Sequence, residues 1–150
     1  MSGPFSFAFM TCRLSGSIRH GTSCFGTVKQ KLMAYKMNSH IGSFCRIYND
    51  YGSVGRDRYE HNINSVNFPE FFPLAEDDQV NVETEAKKSL LEAGVYERRC
   101  AMEIAEELYK DLEAEGKDGK DIADALRIYI GTCEQFSDMY LTKDVTNRVK

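Results

Sequence analysis

The sequence predicts an all-α chain, and three observations carry that reading. Apolar residues recur at helical spacing along several long stretches, with charged residues on the opposite faces. Proline, which interrupts helices, occurs only three times, and tryptophan is absent. The one stretch that alternates like a strand, around Phe5, Phe7 and Phe9, has no second strand after it to pair with. With 150 residues and 42% hydrophobic content, the chain is large enough for one domain with a substantial core.

Taken in order, Pro4 to Leu14 reads as a short buried helix with proline near its first turn. A loop rich in Ser, Gly and Thr follows from Gly16 to Gly26. Thr27 is placed to cap a long helix over about 28–61, buried along Ile41, Phe44, Tyr48 and Tyr59. The connection at 62–82 contains Pro69 and Pro73, which exclude a continuous helix. Asn81 then caps a helix over about 82–115 with its apolar stripe on Ala86, Leu90, Ala93, Ala101, Ile104, Leu108 and Leu112, interrupted only by Glu97. After a turn at Gly116–Gly119, a last helix over about 120–142 presents Ile122, Ala125, Tyr129, Cys133, Phe136 and Tyr140.

Composition removes several function classes. A net charge of −4 and the lack of a basic cluster argue against a nucleic-acid partner. No run reaches the ~20 apolar residues of a membrane span, and Phe5–Cys12 lacks the positive flank and cleavage site of a secretory leader. Cys12, Cys24, Cys45, Cys100 and Cys133 form no C-x-x-C pair and read as reduced, buried thiols of a cytoplasmic protein. The start reads as mid-domain sequence from a longer protein.

The chemistry concentrates at Asn49, Ser53 and Asp57, spaced at i, i+4 and i+8 on the long helix. At 100° per residue they fall within an arc of ~80° over ~12 Å of axis, making a one-sided row of hard oxygen donors. Such a row suits Mg²⁺, which takes few protein oxygens and completes its shell with water and substrate phosphate. Arg46 lies on the same face with donors matched to phosphate oxygens. The same residues also suit a solvated helix surface. Glu60, ~16.5 Å along the axis from Asn49, is too distant to share an ion with it. Gly42 and Cys45 are read as lying on the face itself, where small side chains admit either a ligand or a neighbouring helix.

The row Asn49-Asp-x-x-Ser53-x-x-Arg56-Asp57 resembles the second metal motif of class I terpene synthases. The longer run CRIYNDYGSVGRDRYEHNINSVNFPEF, Cys45 to Phe71, is similar to the same region of fungal bifunctional diterpene cyclases of the copalyl-diphosphate and kaurene synthase type. Most relatives carry Glu where this chain has Asp57. The resemblance implies a partial class I terpenoid-synthase α-helical bundle, with residues 1–150 as the C-terminal portion of a cyclase domain. It implies that Asn49, Ser53 and Asp57 hold Mg²⁺ and that Arg46 faces the diphosphate of a prenyl diphosphate such as copalyl or geranylgeranyl diphosphate. Tyr140 and Lys143 are weaker diphosphate-facing candidates, read first as a core tyrosine and a solvated lysine. Asp77-Asp78-Gln79-Val80-Asn81 imitates the family's aspartate-rich motif, but it follows the Asn/Ser motif and reads as the acidic lead-in to a helix. With neither that motif in its proper place nor the class II D-x-D-D motif, the chain alone is expected to be inactive. The alternative is a non-catalytic helical module that binds a partner or self-associates through an exposed bundle face.

Overall fold

The computed structural model describes the backbone of residues 3–71 and 79–142 and the side chains of 5–70 and 82–142. The order is α1 (Gly3–Ser17), α2 (Val28–Tyr59), two single-turn 3-10 helices (Ser65–Asn67 and Pro69–Phe71), α3 (Gln79–Glu113) and α4 (Lys117–Thr142), so the described residues are all-α. None of these helices is long and apolar enough to cross a membrane.

The long helix α2 starts where its sequence requires. Thr27 Oγ1 accepts the Gln30 N–H at 3.1 Å, and Gln30 Oε1 accepts the Thr27 N–H at 3.2 Å, so two donors at the helix start are satisfied reciprocally. Gln30 also donates to Glu115 at 2.5 Å, and Arg19 pairs with the same carboxylate. One acid thereby ties the loop before α2 to the turn after α3. Burial pushes the Glu115 carboxyl up, but the Gln30 and Arg19 donors outweigh it and leave it below its ordinary value.

Helices α2 and α3 run antiparallel, as the side-chain contacts Lys29–Asp111, His40–Glu97 and Arg58–Glu83 show. Helix α4 returns parallel to α2, pairing Asn38 with Tyr129 and Cys45 with Ser137. Between the three lies the main core, built on Met37, Ile41, Phe44, Tyr48, Leu108, Leu112, Ile122 and Leu126. Each such buried side chain contributes about 1.5–3 kcal/mol relative to exposure. Glu97, the break in the α3 stripe, meets His40 at 2.7 Å.

Several expectations are corrected. Helix α1 is not buried: Phe5 and Phe9 face outward while Phe7, Met10 and Leu14 contact the core, because a single helix lying on a bundle can cover only one of its sides. Tyr59, placed on the buried flank of α2, is 76% exposed in the last turn, beyond the reach of the core. Asn81 does not cap α3 but lies inside it, since the helix already includes Gln79; Asp77 and Asp78 lie outside the described residues. The α3–α4 turn is shorter than expected. Gly116 adopts φ +93°, a left-handed turn conformation, and α4 begins at Lys117. Gly119 therefore sits inside α4, facing Leu112. Phe136 points outward, and the buried line of α4 is Ile122, Ala123, Leu126, Ile130, Cys133 and Ser137. Of the cysteines, Cys24 and Cys133 are buried, Cys45 and Cys100 partly so, and Cys12 is exposed; all are free thiols.

Candidate metal site on the second helix

The outer face of α2 changes character along its length. Val28, Leu32, Tyr35, Ser39, Ser43 and Arg46 are exposed, while Asp50, Ser53 and Asp57, further along the same side, are buried at 0, 0 and 4% exposure. The cause is the chain itself. After Glu60 closes the helix, His61 takes φ +57° and the segment through Val66 doubles back over the motif. Asn64 is carried onto α2, where its Nδ2 donates to the Asp50 carbonyl and to Asp57 Oδ2, both at 2.8 Å.

Two buried acids organise the region. The Asp50 carboxylate accepts Arg46 Nε at 2.9 Å and, from the returning segment, the Ser65 N–H at 3.0 Å and its Oγ at 2.6 Å. Asp57 Oδ2 accepts Ser53 Oγ at 2.5 Å as well as Asn64, and Oδ1 accepts Arg56 at 3.3 Å. Burial pushes the Asp57 carboxyl up, yet the bonds from Ser53, Asn64 and Arg56 together hold it below its ordinary 3.8. It is therefore a carboxylate at neutral pH, a precondition for cation binding.

Of the residues singled out in the sequence, Ser53 and Asp57 are brought into direct contact. Asn49 is half-buried on the preceding turn, and its amide makes a long 3.4 Å bond to Asp50. Arg46 is held by Asp50 and by the Ile63 carbonyl at 3.0 Å, with its side chain 57% exposed. Cys45 is not on this face but in the seam with α4. Tyr140 lines a groove of about 330 Å³ with Tyr51, Gly52, Arg58 and Lys87, on the side of α2 away from Ser53 and Asp57; Lys143 lies outside the described residues.

Among the described residues no three His, Cys, Asp or Glu side chains converge on a common point. A cation here would rest on one carboxylate with hydroxyl and amide oxygens, leaving the rest of its shell to water and phosphate. That donor set fits Mg²⁺ in kind. At the Ser53–Asp57 pair an ion would compete with the Asn64 amide for Oδ2.

Comparison with known proteins adds descent to this geometry. Over 97% of its length the chain is 30% identical to an ent-kaur-16-ene synthase of Fusarium fujikuroi, and over the same share it is 30% identical to a phyllocladan-16-alpha-ol synthase of Phomopsis amygdali. Over 71 residues it is 51% identical to a pimaradiene synthase of Emericella nidulans. The chain is homologous to fungal diterpene cyclases. It spans about 16% of the length of the two full-coverage relatives. No family model matches it, and no solved structure does.

Within this cyclase-lineage chain, reasoning from sequence missed Asp50, Arg56, Asn64 and Ser65. Asp50 carried a signal: seven residues before Asp57, it falls on the same helix face two turns earlier. Asn64 and Ser65 carried none, since they belong to a loop whose return path no periodicity reports.

Proposed function

We propose that this chain is the counterpart of the C-terminal part of a class I diterpene cyclase domain, and that its α2 face holds one Mg²⁺ against a prenyl diphosphate. Asn49, Ser53 and Asp57 are the metal-facing residues, and Arg46 directs its fork of donors at diphosphate oxygens. The observation that carries this reading is the meeting of Ser53 Oγ and the ionised Asp57 carboxylate at 2.5 Å, one turn beyond Asn49. Bound Mg²⁺ supplies charge neutralisation to a departing diphosphate. The protein's own part is to orient that group. Arg46 suits it because its side chain is anchored by Asp50 yet more than half exposed.

On this reading the chain alone does not convert substrate. Class I cyclases hold further ions on an aspartate-rich helix facing this one, and among the described residues no carboxylate cluster fills that role. Water-free enclosure of a reactive cation also needs more walls than the four described helices provide.

Calorimetric titration with Mg²⁺ and inorganic diphosphate tests the site. The expected result is saturable diphosphate binding that requires Mg²⁺ and is lost in Asn49→Ala, with the circular dichroism of the variant unchanged. Absence of heat in the parent chain, or undiminished binding in Asn49→Ala, overturns the assignment. Incubation with geranylgeranyl or copalyl diphosphate and Mg²⁺ is expected to give no hydrocarbon by mass spectrometry.

A further inference from the structure

A different site lies on the other side of α2. Helices α2 and α4 run parallel and approach tightly at Gly52, where a Cβ would run into the Tyr140 carbonyl oxygen. Cys45 and Cys133 each lie seven residues before these two positions, so the same pair of helix faces meets again two turns earlier. There Ser137 Oγ donates to Cys45 Sγ at 3.4 Å, Cys133 stands one turn before Ser137 on the same face of α4, and Cys45 packs against the core cluster that contains Cys133. The Cys45 sulfur thus meets α4 at Ser137, one turn from Cys133, where the facing side chains are small.

We propose that Cys45 and Cys133 are a peroxide-sensitive dithiol whose oxidation ties α2 covalently to α4. The proposal is independent of the metal site. The two sulfurs have complementary settings. Cys45 is partly exposed and reachable by a small oxidant, whereas Cys133 is 2% exposed and shielded from solvent. The neighbouring Cys133 thiol, together with Ser137, lowers Cys45 more than burial raises it, while Cys133 itself is pushed up by Cys45 and by burial. Cys24 is the contrast, a buried thiol pushed up to about 11 by desolvation.

The steps balance with hydrogen peroxide as the oxidant. The Cys45 thiolate attacks one peroxide oxygen, the O–O bond breaks, and Cys45 becomes a sulfenic acid as hydroxide leaves. Cys133 sulfur then attacks the sulfenic sulfur, the S–O bond breaks, and water departs with the Cys133 proton. Two thiols and one peroxide have become one disulfide and two waters.

The test uses the full chain carrying Cys12→Ser and Cys100→Ser, treated with hydrogen peroxide, blocked with iodoacetamide and digested without reductant. The expected result is a Cys45–Cys133 linked peptide, lighter by two hydrogens than the sum of its parts and released by dithiothreitol. In Cys133→Ser, peroxide is expected to leave Cys45 as sulfenic or sulfinic acid. If that variant does not fold, the peptide map of the Cys133-containing chain still decides. Recovery of both thiols alkylated after peroxide, or of oxidised Cys45 beside alkylated Cys133, overturns the proposal.

Discussion

The two halves of α2 are stabilised in different ways. From Gln30 to Tyr48 the helix is fixed by a reciprocal cap and by Met33, Met37, Ile41, Phe44 and Tyr48 against α3 and α4, while its outer face stays open. From Asp50 to Asp57 the outer face is covered as well, and what covers it is polar: two carboxylates, a serine and the returning Asn64 and Ser65. Apolar contacts tolerate imperfect neighbours, whereas a buried carboxylate needs each of its donors. The first half is therefore expected to yield gradually to substitution and the second abruptly.

Asp50→Ala should break the comparison most sharply. It strips Arg46 and both Ser65 donors of their acceptor and should cost about 3 kcal/mol in urea denaturation, against about 1 kcal/mol for Ile41→Val in the first half. Next is glycine. Gly52→Ala drives a methyl group into the Tyr140 backbone and should cost about 1–3 kcal/mol. Gly42→Ala, with nothing within 4 Å of the added carbon, should be neutral or stabilise by up to about 1 kcal/mol. Thr27→Ala should cost about 1 kcal/mol by leaving the Gln30 N–H uncapped.

The smallest effect is in acid. Asp57 and Glu115 are both held below their ordinary values, so each contributes stability that is present above the unfolded-state pKa and lost as pH falls through the folded one. Denaturation midpoints should therefore drop below about pH 4, and Asp57→Asn should flatten part of that drop. An unchanged slope in the variant would show that Asp57 is not linked to folding.

The first half of α2 was legible because its determinants are local. Thr27 and Gln30 are three residues apart, and Ile41, Phe44 and Tyr48 repeat at the helical period. The same periodicity misplaced Tyr59 and Phe136, since period alone does not say where a neighbouring helix ends. At the candidate site, spacing correctly brought Ser53 to Asp57. It could not reveal that Asn64 and Ser65 would supply donors to Asp57 and Asp50 across a turn, because that depends on the path of a loop. Arg46 shares the face of Ser53 and Asp57, but its grip on Asp50 follows from an i, i+4 relation that the metal pattern drew attention away from.

The most direct measurement is a Mn²⁺ titration followed by amide NMR, with Mn²⁺ standing in for Mg²⁺ in the presence of inorganic diphosphate. The account predicts selective broadening centred on Asn49, Ser53 and Asp57, reversed by excess Mg²⁺ and absent in Asn49→Ala. Broadening spread over the acidic surface, or centred elsewhere and unchanged by that substitution, would contradict it.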